Sequence, residues 1–149
     1  GNYPELPQDT GNEGLNAALI KAVQECREKG IRFRYVVMGR PDRIDSMDMG
    51  TLLYNLLSNG IEACMAVETE RELELVVREE DGTTEIFMEN TISGSVLKNN
   101  PNLESRKQDK RYHGFGMESI RGIIGKYQGH YSYREESGRF IQEIDLRDG

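Results

Sequence analysis

The stretch that most constrains this chain is Leu52-Leu53-Tyr54-Asn55-Leu56-Leu57-Ser58-Asn59-Gly60-Ile61-Glu62-Ala63-Cys64. At 3.6 residues per turn, Met49, Leu52, Leu53, Leu56, Leu57, Ala63 and Cys64 form one broad apolar stripe, which predicts a helix with that stripe in a core. Asn55, Asn59 and Glu62 fall beside the stripe within an arc of roughly 60°. A surface helix normally carries Lys, Glu and Arg at such an edge. Two Asn one turn apart, with a Glu beyond them, instead look like oxygen ligands aimed into a cleft. The alternative is that they are solvated residues weakly opposing the helix, and from the helix alone that is the simpler reading.

A second stretch changes the balance. Lys110-Arg111-Tyr112-His113-Gly114-Phe115-Gly116-Met117-Glu118-Ser119-Ile120 runs from a basic segment through Gly-x-Gly into another amphipathic helix. Glycine beside a helix start lets backbone N–H groups approach an anion, and the helix dipole adds positive potential. Gly-x-Gly alone is equally compatible with a tight turn. An Asn-x-x-x-Asn helix followed downstream by a basic loop and Gly-x-Gly is far more specific.

The rest of the chain frames these two stretches. Its 149 residues suffice for one core. Residues 1–12 read as an irregular lead-in, and Glu13 to Lys29 as a helix closed by Gly30. Ile31 to Val37 alternates as a strand with Ile31, Phe33, Tyr35 and Val37 on one face. The central helix is expected from about Asp48 to Val67, capped by Ser46 or Asp45. Two hairpins follow, one turning at Asp81-Gly82 with Leu73, Leu75 and Val77 inward, the other at Ser137-Gly138 with Phe140, Ile144 and Leu146 inward. Between them lie a long irregular segment, expected to be a lid at about 91–113, and a helix from Gly116 to Tyr127. Gly122 and Gly125 in that helix are expected to allow close packing on the sheet. Paired strands with three helices indicate an α+β fold, a two-layer sandwich with the helices on one sheet face.

Composition narrows the function. A net charge of −7 argues against non-specific nucleic-acid binding. It leaves room for a local anion site, because Arg106, Lys107, Lys110 and Arg111 form a basic cluster. Cys26 and Cys64 fall on apolar helix faces, as free thiols suited to a reducing compartment.

Taken together the motifs resemble the GHKL ATPase/kinase superfamily: Asn55-x-x-x-Asn59 its N box, His113-Gly114-Phe115-Gly116 its second glycine box. The resemblance extends over nearly the whole chain. Thr10-Gly11-Asn12, Lys29-Gly30-Ile31-Arg32-Phe33, a shortened first glycine box at Glu89-Asn90, Ser105-Arg106-Lys107-Gln108-Asp109-Lys110 and Lys126-Tyr127-Gln128-Gly129 are similar to the peptide-pheromone (quorum-sensing) receptor histidine kinases of Gram-positive bacteria. The resemblance implies a mixed, mostly antiparallel sheet and a catalytic domain that binds ATP with Mg²⁺. Asn59 would be the Mg²⁺ ligand, and Asn55 would support the metal or the phosphates. Lys107 would reach the phosphates, with His113, Gly114, Phe115 and Gly116 lining their path. Asn90 or Glu89 would stand at the adenine end. The acceptor His would lie on an upstream dimerisation helix absent from this chain, and a response regulator would receive the phosphoryl group next. The full-length protein would be a homodimeric, membrane-anchored receptor with this domain in the cytoplasm, and the fragment a monomer.

Two departures set the rival readings. ATP-hydrolysing members carry Glu where Asn55 stands; an amide cannot act as general base toward water, which favours phosphoryl transfer to a protein. The same residue counts against a serine-kinase anti-sigma factor. The standard first glycine box, Asp-x-Gly-x-Gly, is replaced by Glu89-Asn90-Thr91-Ile92-Ser93-Gly94, which leaves open a degenerate nucleotide sensor or docking module.

Overall fold

The structure, a computed structural model, describes residues 8–104 and 116–147. The first helix, α1 (Glu13–Glu28), starts where Asn12 leaves extended backbone and its Oδ1 accepts the Leu15 N–H at 3.0 Å. Asn12 is buried, and its Nδ2 donates to the carbonyls of Pro41 and Ile44 at 3.0 and 2.8 Å. One amide therefore both caps α1 and holds down the connection from β1 (Arg32–Met38) to α2 (Ser46–Met65). Asp45 is the cap of α2, accepting from Met47 and Asp48 N–H, so the helix begins two residues earlier than its apolar pattern indicates. At the other end Arg71 donates to the carbonyls of Val67, Lys29 and Met65. It thereby satisfies orphan acceptors beyond both α1 and α2.

The remaining elements are β2 (Glu72–Glu80), β3 (Thr83–Thr91), α3 (Gly116–Lys126), β4 (His130–Glu136) and β5 (Arg139–Arg147). They form one five-stranded sheet in the order β1-β2-β3-β5-β4. β1 runs parallel to β2 with Phe33 opposite Leu73 and Tyr35 opposite Leu75; the other pairs are antiparallel. Both hairpins turn as expected: Asp81-Gly82 and Ser137-Gly138 all have positive φ, matching the right-handed strand twist. The inward rows Leu73, Leu75, Val77, Ile86, Met88, Ile144 and Leu146 share one core with Leu15 and Leu19 of α1, Leu52, Leu53 and Leu56 of α2, and Ile120 and Ile124 of α3. The opposite sheet face carries the ion pairs Arg34–Glu74 and Arg78–Glu85. Among the described residues the fold is α+β, three helices on a mixed, mostly antiparallel sheet.

Two details depart from the sequence pattern. Gln142 of β5 points inward with Phe140 and Ile144 and is buried, because the Tyr131 hydroxyl donates to its Oε1 at 2.5 Å. Burial raises the Tyr131 hydroxyl pKa far above the ordinary phenol value, so it serves as a permanent donor. Gly122 and Gly125 do not permit close packing: a Cβ at either would meet nothing within 4 Å. Close approach occurs at the α1–α2 crossing, where a Cβ on Gly14 would lie 1.9 Å from the Ser46 carbonyl oxygen.

The segment expected to form a lid is fastened at its root. Glu135 of β4 accepts from the Leu97 N–H at 2.5 Å and the Ser95 hydroxyl at 2.8 Å. Tyr133 donates to Pro101 O, Arg121 to Asn102 O, and Leu103 is buried. Residues 105–113 of the expected lid lie outside the described residues.

Gly14→Ala should cost about 1–3 kcal/mol in urea unfolding, since backbone rather than a flexible side chain must give way. Gly122→Ala should gain about 0.5–1 kcal/mol, from helix propensity in open space; equal effects would contradict the crossing. Burial raises the Glu135 carboxyl pKa, but the hydrogen bonds from Leu97, Ser95 and Val96 outweigh it, so it sits below the usual carboxylate value. A depressed folded pKa means the latch is intact above the unfolded value of about 4.3 and is lost as pH falls through the lower folded value. Hydrogen exchange at the Leu97 amide should therefore accelerate in acid beyond its intrinsic pH trend, and Glu135→Gln should remove that dependence.

Candidate functional site

α2 carries the two Asn on the edge that faces α3. Asn55 is half-buried, and its Nδ2 donates to the Thr51 carbonyl at 2.9 Å, which orients the amide and leaves Oδ1 available. Gly116, the first residue of α3, is buried against this edge. A Cβ placed on Gly116 would lie 3.6 Å from Asn55 Oδ1, 3.6 Å from Asn59 Nδ2 and 3.8 Å from Asn59 Oδ1. Both carboxamides therefore converge on the start of α3, where the first helical N–H groups lack intrahelical acceptors and the dipole is positive. Glu62, one turn further along α2, is exposed.

Asn90 enters from the sheet. Strand alternation turns its side chain toward the helices, where it is 2 % exposed. Its Nδ2 donates to the Thr91 carbonyl at 3.1 Å, and among the described residues its Oδ1 accepts no hydrogen bond. That oxygen lies 3.5 Å from where a Cβ of Gly60 would be. Gly60 is the residue after Asn59, so the buried acceptor and the two half-buried amides line one side of α2. The same alternation corrects the expectation for Glu89. It faces away from the helices and pairs with Arg139 Nε at 3.6 Å, while Arg139 also binds Glu72. Of the two candidates for one role, only Asn90 lies near Asn55 and Asn59.

Lys107, His113, Gly114 and Phe115 lie outside the described residues. The chemistry on view is thus that of neutral amides and helix N–H groups. No group of three His, Cys, Asp or Glu that could hold a metal exists among the described residues. The amide oxygen of Asn59 suits a hard cation that draws its other ligands from water and phosphate.

Sequence reasoning missed two features. Gly60 reads in the sequence only as a loss of helix propensity, yet a Cβ there would lie 2.9 Å from Leu73 Cδ1 and 3.3 Å from Met88 Cε. Its missing side chain keeps the floor beside Asn90 clear. Tyr127, which the sequence marks as the expected end of a helix, places its hydroxyl 2.5 Å from Asp48 Oδ2. The contact joins residues 79 apart in sequence, beyond the reach of any local pattern.

Comparisons with known proteins bear on the family and the fold. The family model described as GHKL domain matches residues 44–147. No curated protein sequence matches. The fold is similar to the nucleotide-free catalytic domain of histidine kinase ThkA, with a TM-score of 0.72 at 15% identity over 97% of each chain. It is also similar to Acinetobacter baumannii histidine kinase AdeS, at TM-score 0.66 and 13% identity over 91% of this chain and 65% of that one. A third is full-length ShkA in complex with AMPPNP, at TM-score 0.67 and 15% identity over 97% of this chain and 32% of that one. At such identities these structures speak for the fold alone. The family model covers well over half of the chain, including both Asn of α2, Asn90 of β3 and Gly116 of α3, and the chain belongs to the GHKL domain family.

Proposed function

We propose that this domain binds Mg²⁺-ATP between α2, β3 and α3 and is the catalytic part of a two-component sensor histidine kinase. It would hand the γ-phosphate to a His on a dimerisation helix of the full-length protein. The observation that carries the reading is the convergence of Asn55, Asn59 and the start of α3, with the buried Asn90 acceptor beside them.

Each residue then has a definite task. Because Asn90 Nδ2 is held by the Thr91 carbonyl, only Oδ1 faces the gap, and an acceptor there takes the exocyclic amine of adenine. It offers nothing to a guanine carbonyl. The N–H groups at the start of α3 and Lys107 would hold the phosphates. Asn59 would ligate Mg²⁺, which supplies charge neutralisation on the phosphates. Asn55, fixed by Thr51, orients but cannot abstract a proton, so the site positions a phosphoryl group for a protein nucleophile rather than activating water.

The shortened box Glu89-Asn90 and the lid sequence Ser105–Lys110 support placement among the peptide-pheromone receptor kinases. The full-length protein would then be a homodimeric membrane receptor with this domain on the cytoplasmic side and a response regulator as the onward acceptor. A second reading, a nucleotide sensor without phosphotransfer, draws its support from the missing Asp-x-Gly-x-Gly.

Calorimetric titration with ADP and AMP-PNP, with and without Mg²⁺, tests the reading. Binding should require Mg²⁺ for full affinity, weaken in Asn59→Asp and Lys107→Ala, and fall about tenfold in Asn90→Ala, the loss of one buried hydrogen bond. A folded sample that binds neither nucleotide would sink the reading. Nucleotide binding without phosphorylation of a supplied dimerisation helix would favour the sensor.

A further inference from the structure

The two ends of α3 are held in different ways. Its start lies against the Asn55 and Asn59 carboxamides, which a Cβ on Gly116 would meet at 3.6 to 3.8 Å, with no hydrogen bond between them among the described residues. Its end is bolted to the first turn of α2. The Asp45 N–H donates to the Tyr127 hydroxyl at 3.1 Å, and that hydroxyl donates to Asp48 Oδ2 at 2.5 Å. Lys126 Nζ reaches the same oxygen at 2.7 Å. Tyr127 is also tied to the sheet, since its carbonyl accepts from the Arg147 N–H at 2.9 Å. Asp48 is thus charged and doubly engaged: hydrogen bonds from Lys126 and then Tyr127 hold its carboxyl below the usual carboxylate range.

The helices run antiparallel, because residues 45–48 of the α2 start meet 126–127 while Asn55 and Asn59 meet Gly116. Sliding or rotating α3 on α2 therefore moves Gly116 relative to both amides. Core contacts of Ile120 and Ile124 resist separation, but apolar packing is non-directional and fixes the helix azimuth less well than a hydrogen bond. At 1.5 Å per residue, Tyr127 lies about 16 Å from Gly116, too far to touch anything bound there.

We infer that Tyr127 and Asp48 are positioning residues for the nucleotide: their hydrogen bond sets the orientation of α3, and so the gap between its N-terminus and the Asn55/Asn59 amides. This inference rests on the function proposed above. Arg121 strengthens its consequence, since it joins α3 to Asn102 in the root of the lid segment, so that the same movement carries that root with it.

Tyr127→Phe removes one hydroxyl and keeps the ring in place, and Asp48→Asn keeps the shape but loses the charge. Gly30→Ala is the control. It strains a positive-φ residue after α1, with nothing within 4 Å and far from both helix contacts, so it lowers stability without touching the clamp. Two readouts are compared in all four proteins. Amide and side-chain carboxamide resonances of Gly116, Asn55 and Asn59 in the free protein should shift in Tyr127→Phe and Asp48→Asn but not in Gly30→Ala. Affinity for Mg²⁺-AMP-PNP should fall about tenfold in the two clamp variants and stay within twofold in the control. Unmoved resonances in a folded Tyr127→Phe protein would overturn the clamp, as would equal affinity losses in Gly30→Ala. Absence of nucleotide binding by the wild type would overturn the proposed function instead, and the resonances would still decide the clamp.

Discussion

The structure depends on α2 being buried along most of its length. Leu52, Leu53 and Leu56 have no exposed surface, and Met49, Leu57, Ile61 and Cys64 extend the same face. Each such side chain contributes about 1.5–3 kcal/mol of burial, so α2 cannot leave the core without a large loss of stability. α1 packs along it through the Gly14–Gly50 crossing, α3 packs antiparallel to it, and the sheet lies beneath. With that face committed to the core, its edge cannot be freely solvated either. Asn55 and Asn59 are left half-buried beside the start of α3.

A half-buried amide is a distinctive choice. A carboxylate held half-dry at either position would be expensive to keep charged. An amide offers an oxygen to a cation at no such cost. Asn90 follows the same logic deeper inside: one half of its amide is satisfied by Thr91, and the other is presented without a partner among the described residues. Buried acceptors are normally satisfied, so this oxygen is a reason to think of a ligand rather than of a purely structural residue.

Much of this could be read from the chain itself. The 3.6-residue pattern located all three helices, period-two alternation located the strands, and Asp81-Gly82 and Ser137-Gly138 marked the hairpin turns. Asn55-x-x-x-Asn59 followed by Gly-x-Gly marks the candidate site in the sequence alone. The misreadings share a cause. Gly60, Gly122 and Gly125 look alike in sequence, but whether a missing Cβ matters depends on what lies opposite, and that is contributed by distant strands or by solvent. Glu89 and Asn90 are adjacent and chemically similar, and only the register of β3 against β2 and β5 decides which one faces the helices.

The sequence by itself determined the elements, the fold class and the identity of the amide-bearing helix, because these follow from local periodicity and turn chemistry. Tertiary structure alone decided that Gly116 meets both Asn of α2, that Asn90 and not Glu89 turns toward them, and that Tyr127 fastens to Asp48. Each of these joins residues tens of positions apart. Their distances are set by how three helices settle on one sheet, a property of the whole core that no local stretch of sequence encodes.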